Sequence, residues 1–198
     1  MNIAVSSVYG LSVRSAYPPG FFVEDTVRPT VQVLVCRNDG KIAMVKPVAA
    51  ADREWWIPPQ EGVDGSDVSP VATLERGLYE ELGIVLSQDS LSTAEMLGSY
   101  VNPIPCNRMD DGTRMAKRII VIAVQVPPDV RIKLDSKENT DFQWIRSWEE
   151  LDFAMAEVAE ERIRKYVATC RAVLIACRRG ILSWKIPNSG QMSLFVAQ

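Results

Sequence analysis

Apolar and polar residues alternate or cluster along this chain in ways that mark strands in its first two thirds and a helix near its end. Val31–Arg37 (VQVLVCR) is rich in β-branched residues, Asn38-Asp39-Gly40 is a turn signal, and Lys41–Lys46 (KIAMVK) is apolar again. The three together predict a β-hairpin. Pro47–Glu54 reads as a loop, and Trp55-Trp56-Ile57 as a short strand ahead of the double proline at 58–59. Ser69-Pro70 predicts a helix start, with serine as N-cap and proline in the first turn. That helix runs to Leu82, where Gly83 supplies the C-cap.

Beyond the helix, Ala94–Ile104 predicts a strand and Pro105–Ala116, with Asp110-Asp111-Gly112 inside it, a polar loop. Lys117–Val126 (KRIIVIAVQV) is an almost unbroken β-branched run, the pattern of a central buried strand. Phe142–Ile145 predicts a further strand. Ser147-Trp148-Glu149-Glu150 is a capping box. It opens a helical stretch through Cys177, with apolar positions at Val158, Ile163, Val167, Cys170, Leu174 and Cys177. Glu157, Glu160 and Glu161 lie near the start of the long helix, Arg178-Arg179 at its end, and Gly180 stops it. Strands mixed with few helices imply an α/β fold in which helices cover both faces of a mixed sheet. The organisation expected is an N-terminal extension over 1–30, one domain over 31–180 and a packed tail over 181–198.

Composition narrows the function classes. The chain has 198 residues, 47% of them hydrophobic, and a net charge of −3, which gives no global electrostatic case for duplex nucleic acid. Histidine is absent, which removes histidine-dependent triads, histidine zinc ligands and histidine general bases. Cys36, Cys106, Cys170 and Cys177 lack metal-type spacing and read as reduced thiols. No apolar run is long enough for a membrane span, and the N-terminus has no basic residue before its apolar stretch. A cytoplasmic protein with no membrane partner is expected.

The chemistry concentrates between Trp56 and Ile84. At about 100° per residue, position 77 lies about 60° from Glu80 and about 40° from Glu81 around the helix. Arg76 lies one turn before Glu80 and can orient its carboxylate. The loop carrying Gly62, Asp64, Gly65 and Asp67 enters that helix. Carboxylates beside exposed loop backbone suit a divalent cation and a phosphate. Trp55 and Trp56 are candidates to stack on a base or to close the core. Arg108, Arg114, Lys117 and Arg118 are candidate phosphate contacts or solvated loop charges, and Asp110-Asp111-Gly112 reads as a turn.

Gly62 to Ile84 resembles the signature box of the Nudix hydrolases. Gly62 is followed at the family's spacing by Arg76-Gly77-Leu78-Tyr79-Glu80-Glu81-Leu82-Gly83-Ile84. The lead-in Trp56-Ile57-Pro58-Pro59-Gln60-Glu61-Gly62-Val63-Asp64 resembles the W-x-F-P-Q-G-G-[IV]-[DE] entry of Nudix RNA and dinucleoside-polyphosphate pyrophosphohydrolases. The resemblance implies a Nudix-like α/β/α sandwich and hydrolysis of a nucleoside diphosphate linked to another moiety. It implies Mg²⁺ or Mn²⁺ at Glu80 and Glu81, with Arg76 supporting them, and Gly62 and Trp56 on the substrate side. A nucleotide-type small molecule is the implied partner, and capped or triphosphorylated RNA falls within the range. The alternatives are a nucleotide-binding or regulatory module without turnover, and a scaffold whose tails form a homodimer.

Two departures from the family pattern matter for the metal. The loop glutamate falls on Val68, with Asp67 one residue early. The glutamate after the box arginine is Gly77, and glycine costs a helix interior about 1 kcal/mol against alanine. Glu75 points about 200° away and is no replacement. Either metal binding is weakened, or a carboxylate from elsewhere enters the space, with Glu61, Asp64, Asp110, Asp111 and Glu138 as candidates.

Overall fold

The computed structural model describes residues 27–48, 56–108 and 114–146, together with Tyr17, Phe21, Ala51, Glu150 and Gly180. The sheet contains β1 (Val27–Arg37), β2 (Ile42–Pro47), β3 (Gln60–Gly62), β4 (Glu95–Arg108), β5 (Arg114–Val126) and β6 (Asn139–Ile145). Its order is β4-β5-β1-β2-β6, with β3 also paired to β1. The helices are α1 (Pro70–Leu82) and α2 (Gln88–Ser92). This is the expected α/β fold with a mixed sheet. The N-terminal extension apart from Tyr17, Phe21 and β1's first residues lies outside the described residues. So do the long helix predicted through Cys177, apart from Glu150, and the tail.

β5 is an interior strand between β4 and β1, buried as its β-branched run predicts. It pairs in parallel with β1 from Val27↔Ala116 to Arg37↔Val126 and antiparallel with β4. That parallel ladder explains why β1 starts at Val27, ahead of its most apolar stretch. Side chains of β1 alternate between faces. Val31, Val33 and Val35 join Leu74, Leu78 and Leu82 of α1 in one core. Leu34, Met44 and Ile119, on the opposite face, are fully buried too.

The predicted hairpin keeps its turn but loses its ladder. Gly40 takes φ 85°, and Cys36 pairs with Ile42. Past that point the segment 57–62 enters between the two strands. Ile57 bridges Val45, Val33 N–H donates to the Pro59 carbonyl at 2.9 Å, and β3 continues along β1 with Val31↔Glu61. The short strand expected at 55–57 is therefore displaced. Of the described residues Trp56 and Ile57, only Ile57 makes a bridge, and the strand proper follows the prolines, which have no N–H to give a ladder. The polar loop expected over 105–116 is also shorter, because Asn107↔Met115 and Arg108↔Arg114 extend the β4–β5 pairing. Cross-strand pairing there overrides polar composition. Asp110-Asp111-Gly112 lies outside the described residues.

Helix α1 follows its sequence signals closely. The Ser69 hydroxyl accepts from Ala72 N–H, Pro70 occupies the first turn, and Gly83 closes the helix at φ 64°. Helix α2, capped by Ser87, has no counterpart among the predicted elements. Among the described residues no helix is long and apolar enough to cross a membrane.

Candidate functional site

The loop 63–69 is held to α1 by Arg76. Its guanidinium donates to the Gly62 carbonyl at 2.7 Å and to both Asp67 oxygens at 3.2 and 2.7 Å. It also pairs with Glu80 at 3.1 Å and with Glu61 Oε1 at 3.2 Å. Five donors in a rigid fork allow one arginine to span these acceptors. Asp67 additionally accepts from the Asp64 N–H and the Thr73 hydroxyl, both at 2.8 Å, while Tyr17 bonds Thr73. Burial pushes the Asp67 carboxyl up, but Arg76 and the two other donors outweigh it and hold its pKa below the ordinary value. Asp67 thus anchors the loop to the helix, and Val68, where the pattern has a glutamate, is 82% exposed.

On the other side of this arginine the acidic groups converge. One carboxylate oxygen each from Glu61, Glu81 and Glu138 lie within 4.8 Å of one another. Two chain segments bring them together with α1. β3 presents Glu61 beside the helix. The segment after β5 docks on the helix end, where Lys133 N–H donates to the Leu82 carbonyl at 2.8 Å and Asp135 N–H to the Glu81 carbonyl at 2.9 Å. A turn at Asp135 then delivers Glu138 and Asn139. The Asn139 amide donates to Glu81 Oε2 at 3.0 Å.

Burial raises the Glu81 carboxyl to about 8, against the lowering effect of Asn139, with Glu61 and Glu138 raising it further. Burial also raises Glu61, opposed by Arg76. Three hard oxygen donors, two of them losing hydration as they gather, suit Mg²⁺ or Mn²⁺. The donor set therefore fits the cation that the box implies.

Gly77 lies against this cluster. A Cβ built there would stand 2.5 Å from Glu61 Cβ and 2.8 Å from its Cγ. The Glu61 side chain thus fills the space that a residue-77 side chain would need. Of the other candidate carboxylates, Asp64 turns back to Ser66, whose N–H and hydroxyl donate to it at 2.9 Å. Asp110 and Asp111 lie outside the described residues.

The structure brings Glu81 into the cluster and leaves Glu80, 47% exposed at its side chain, on Arg76 at the cluster's edge. Gly62 gives its carbonyl to Arg76, and the Arg28 guanidinium lies over its Cα. Trp56 is buried and offers a base little surface; Trp55 lies outside the described residues. Lys117 donates to Gln60 Oε1 at 3.3 Å, next to Glu61. The side chains of Arg108 and Arg114 lie outside the described residues. Sequence reasoning missed Asn139, which carries no local motif and reaches Glu81 only through the docked turn.

The family profile described as NUDIX domain matches residues 26–170. No curated protein matches the sequence. Similar solved structures include the NUDIX domain of Shewanella oneidensis NrtR complexed with ADP ribose. It is 17% identical over 82% of this chain and 93% of that one, with a TM-score of 0.52. A bifunctional NMN adenylyltransferase/ADP ribose pyrophosphatase from Francisella tularensis, complexed with AMP and a manganese ion, is 20% identical, with a TM-score of 0.50. That match covers 73% of this chain and 42% of the other. A MutT/nudix family protein from Enterococcus faecalis is 19% identical over 61% of this chain and 44% of that one, with a TM-score of 0.46. The chain thus spans less than half the length of the Francisella and Enterococcus proteins.

Proposed function

The chain belongs to the NUDIX domain family, and from that premise we propose that it hydrolyses a pyrophosphate bond in a nucleoside diphosphate linked to another moiety. The observation that carries this reading is the convergence of Glu61, Glu81 and Glu138 beside the box helix. A divalent cation bound there supplies Lewis-acid polarisation of a phosphoryl oxygen and a more acidic water. Glu81 is the central ligand, fixed from behind by Asn139. Glu80 stays near the metal site at its solvent edge, oriented by Arg76. Arg76 itself acts as a positioning residue, tying the loop to the helix so that Gly62 and Glu61 keep their places. Lys117, whose charge reaches Glu81, is suited to the substrate's phosphate oxygens.

Two similar structures are described with ADP ribose as ligand or as the object of a pyrophosphatase, which puts ADP-ribose first among substrates to test. The purified protein would be given ADP-ribose, nucleotide sugars, dinucleoside polyphosphates, and capped and 5′-triphosphorylated RNA, with Mg²⁺ or Mn²⁺. Cleavage lost in Glu81→Gln is the expected result. No cleavage of any of these, with saturable nucleotide binding, would replace the hydrolase reading by a binding or regulatory module. Sedimentation of the same preparation tests the homodimer, and fractionation of cells the cytoplasmic location.

A further inference from the structure

Two of this chain's departures from the box pattern are in contact and opposite in kind. Where the lead-in pattern has the first glycine of its pair, this chain has Glu61; where the helix pattern has a glutamate, it has Gly77. Glu61 and Gly77 face each other across the β3–α1 junction, close enough that any Cβ at 77 would collide with the Glu61 stem. The collision is with Cβ and Cγ, which rotation of the outer carboxylate does not remove. The two side chains therefore exclude one another.

We propose that Glu61 is the metal-ligating replacement for the carboxylate that the helix lacks at 77, so that positions 61 and 77 have exchanged glutamate and glycine. The ligand now comes from β3, and the helix glycine makes room for it. Glu61 Oε2 lies 3.3 Å from the place of a residue-77 Cβ, while Oε1 is tied to Arg76 at 3.2 Å. One oxygen is thus anchored, and the carboxylate stays in the cluster with Glu81 and Glu138. β3 holds the stem, since Glu61 is paired with Val31 in the sheet. A glycine on a helix interior, which backbone entropy disfavours, here has a steric reason. The proposal rests on the metal-dependent reading above and adds to it the source of a ligand.

The test is Mn²⁺ binding to the whole chain by calorimetry, with Mn²⁺-induced change in Tm as a second readout. Glu61→Gln keeps the stem and removes the charge. It is expected to weaken Mn²⁺ by at least about tenfold, the scale at which even outer-shell partners act. Glu81→Gln should do the same. Gly77→Glu alone should bind no better than the wild type, because the two side chains collide. The double variant Glu61→Gly/Gly77→Glu restores the pattern's arrangement and should recover affinity that Glu61→Gly loses. Wild-type affinity in Glu61→Gln, with loss in Glu81→Gln, overturns the exchange but leaves the metal-dependent reading standing. Full affinity in both overturns both. A double variant no better than Glu61→Gly also overturns the exchange.

Discussion

The Asn139 side-chain amide donates to Glu81 Oε2 at 3.0 Å, and both residues are almost wholly buried, at 3% and 4% exposed. Asn139 opens β6 and Glu81 belongs to the last turn of α1, so this bond joins the helix to the sheet's far strand. It also fixes one oxygen of the carboxylate. Yet the bond does not offset the loss of water around Glu81, whose pKa stays at about 8 because burial dominates. Without a cation, burial therefore favours the protonated form of Glu81 in the folded protein.

That proton makes stability depend on pH. The folded-state value of about 8 lies above the ordinary 4.5, so the native state binds more protons than the unfolded state between the two. Stability is fully present below the lower value and falls as pH rises toward the higher one, by an amount on the order of a few kcal/mol. Thermal melts of the metal-free protein should therefore show a declining Tm across that window. Glu81→Gln should flatten the decline. Mn²⁺ should oppose it too, since a bound cation compensates the carboxylate charge in the proton's place. A metal-free Tm that rises through the same window would contradict the assignment.

Asp67 works in the opposite direction. Arg76 and its other donors hold its carboxyl below the ordinary 3.8, so its contribution is present above that value and is lost as pH falls through the lower folded one. Asp67→Asn removes the charge that Arg76 binds twice and should cost about 1.5–3 kcal/mol, the range for hydrogen bonds to charged groups. Urea denaturation at neutral pH measures it. The difference from wild type should shrink on the acid side of the melt series, where the native carboxylate protonates. A constant difference at all pH values would mean that the loop is held by shape alone.

How far the site could be read from the chain depends on the range of each interaction. Helix α1 was legible to its caps because Ser69, Pro70 and Gly83 act on backbone groups within a few residues. Strand β5 was legible as a buried interior strand because a run of β-branched residues has few places to go except a buried sheet. The spread of the β1–β2 hairpin was not, since it depends on a segment more than ten residues downstream entering between the strands. The carboxylate cluster failed for the same reason. Helical geometry places residues 77, 80 and 81 on one side, which suggests Glu80 and Glu81 as partners. It says nothing of β3 or of the turn at Asp135, which supply Glu61, Glu138 and Asn139. Glu61 and Glu138 could be named as candidates, but only the packing of β3 against the helix distinguishes them from Asp64.

The packing at Gly77 predicts a change of sign between backgrounds. In the wild type, Gly77→Ala places a Cβ 2.5 Å from Glu61 Cβ, and overpacking of this kind costs about 1–3 kcal/mol. In a Glu61→Gly background the obstruction is gone, and the same substitution should stabilise by about 1 kcal/mol through helix propensity. Urea denaturation of the four proteins in this cycle gives the coupling directly. Equal effects of Gly77→Ala in the two backgrounds would mean that the helix and β3 shift apart freely at this contact.

Removing the Asn139 amide separates orientation from ligation. Asn139→Ala leaves the Glu81 carboxylate in place but unpartnered, and because that hydrogen bond lowers its pKa, the value should rise further. A more basic, less oriented carboxylate must give up its proton and find its geometry as the cation binds. Mn²⁺ affinity near neutral pH should fall about 10–100-fold, as for other outer-shell partners of metal ligands. Part of the loss should be recovered at higher pH, once Glu81 ionises. Calorimetric titrations of wild type and Asn139→Ala at several pH values distinguish the two contributions. A deficit that is the same at every pH assigns Asn139 to geometry alone, whereas one that narrows as pH rises shows that it also sets the ionisation of Glu81.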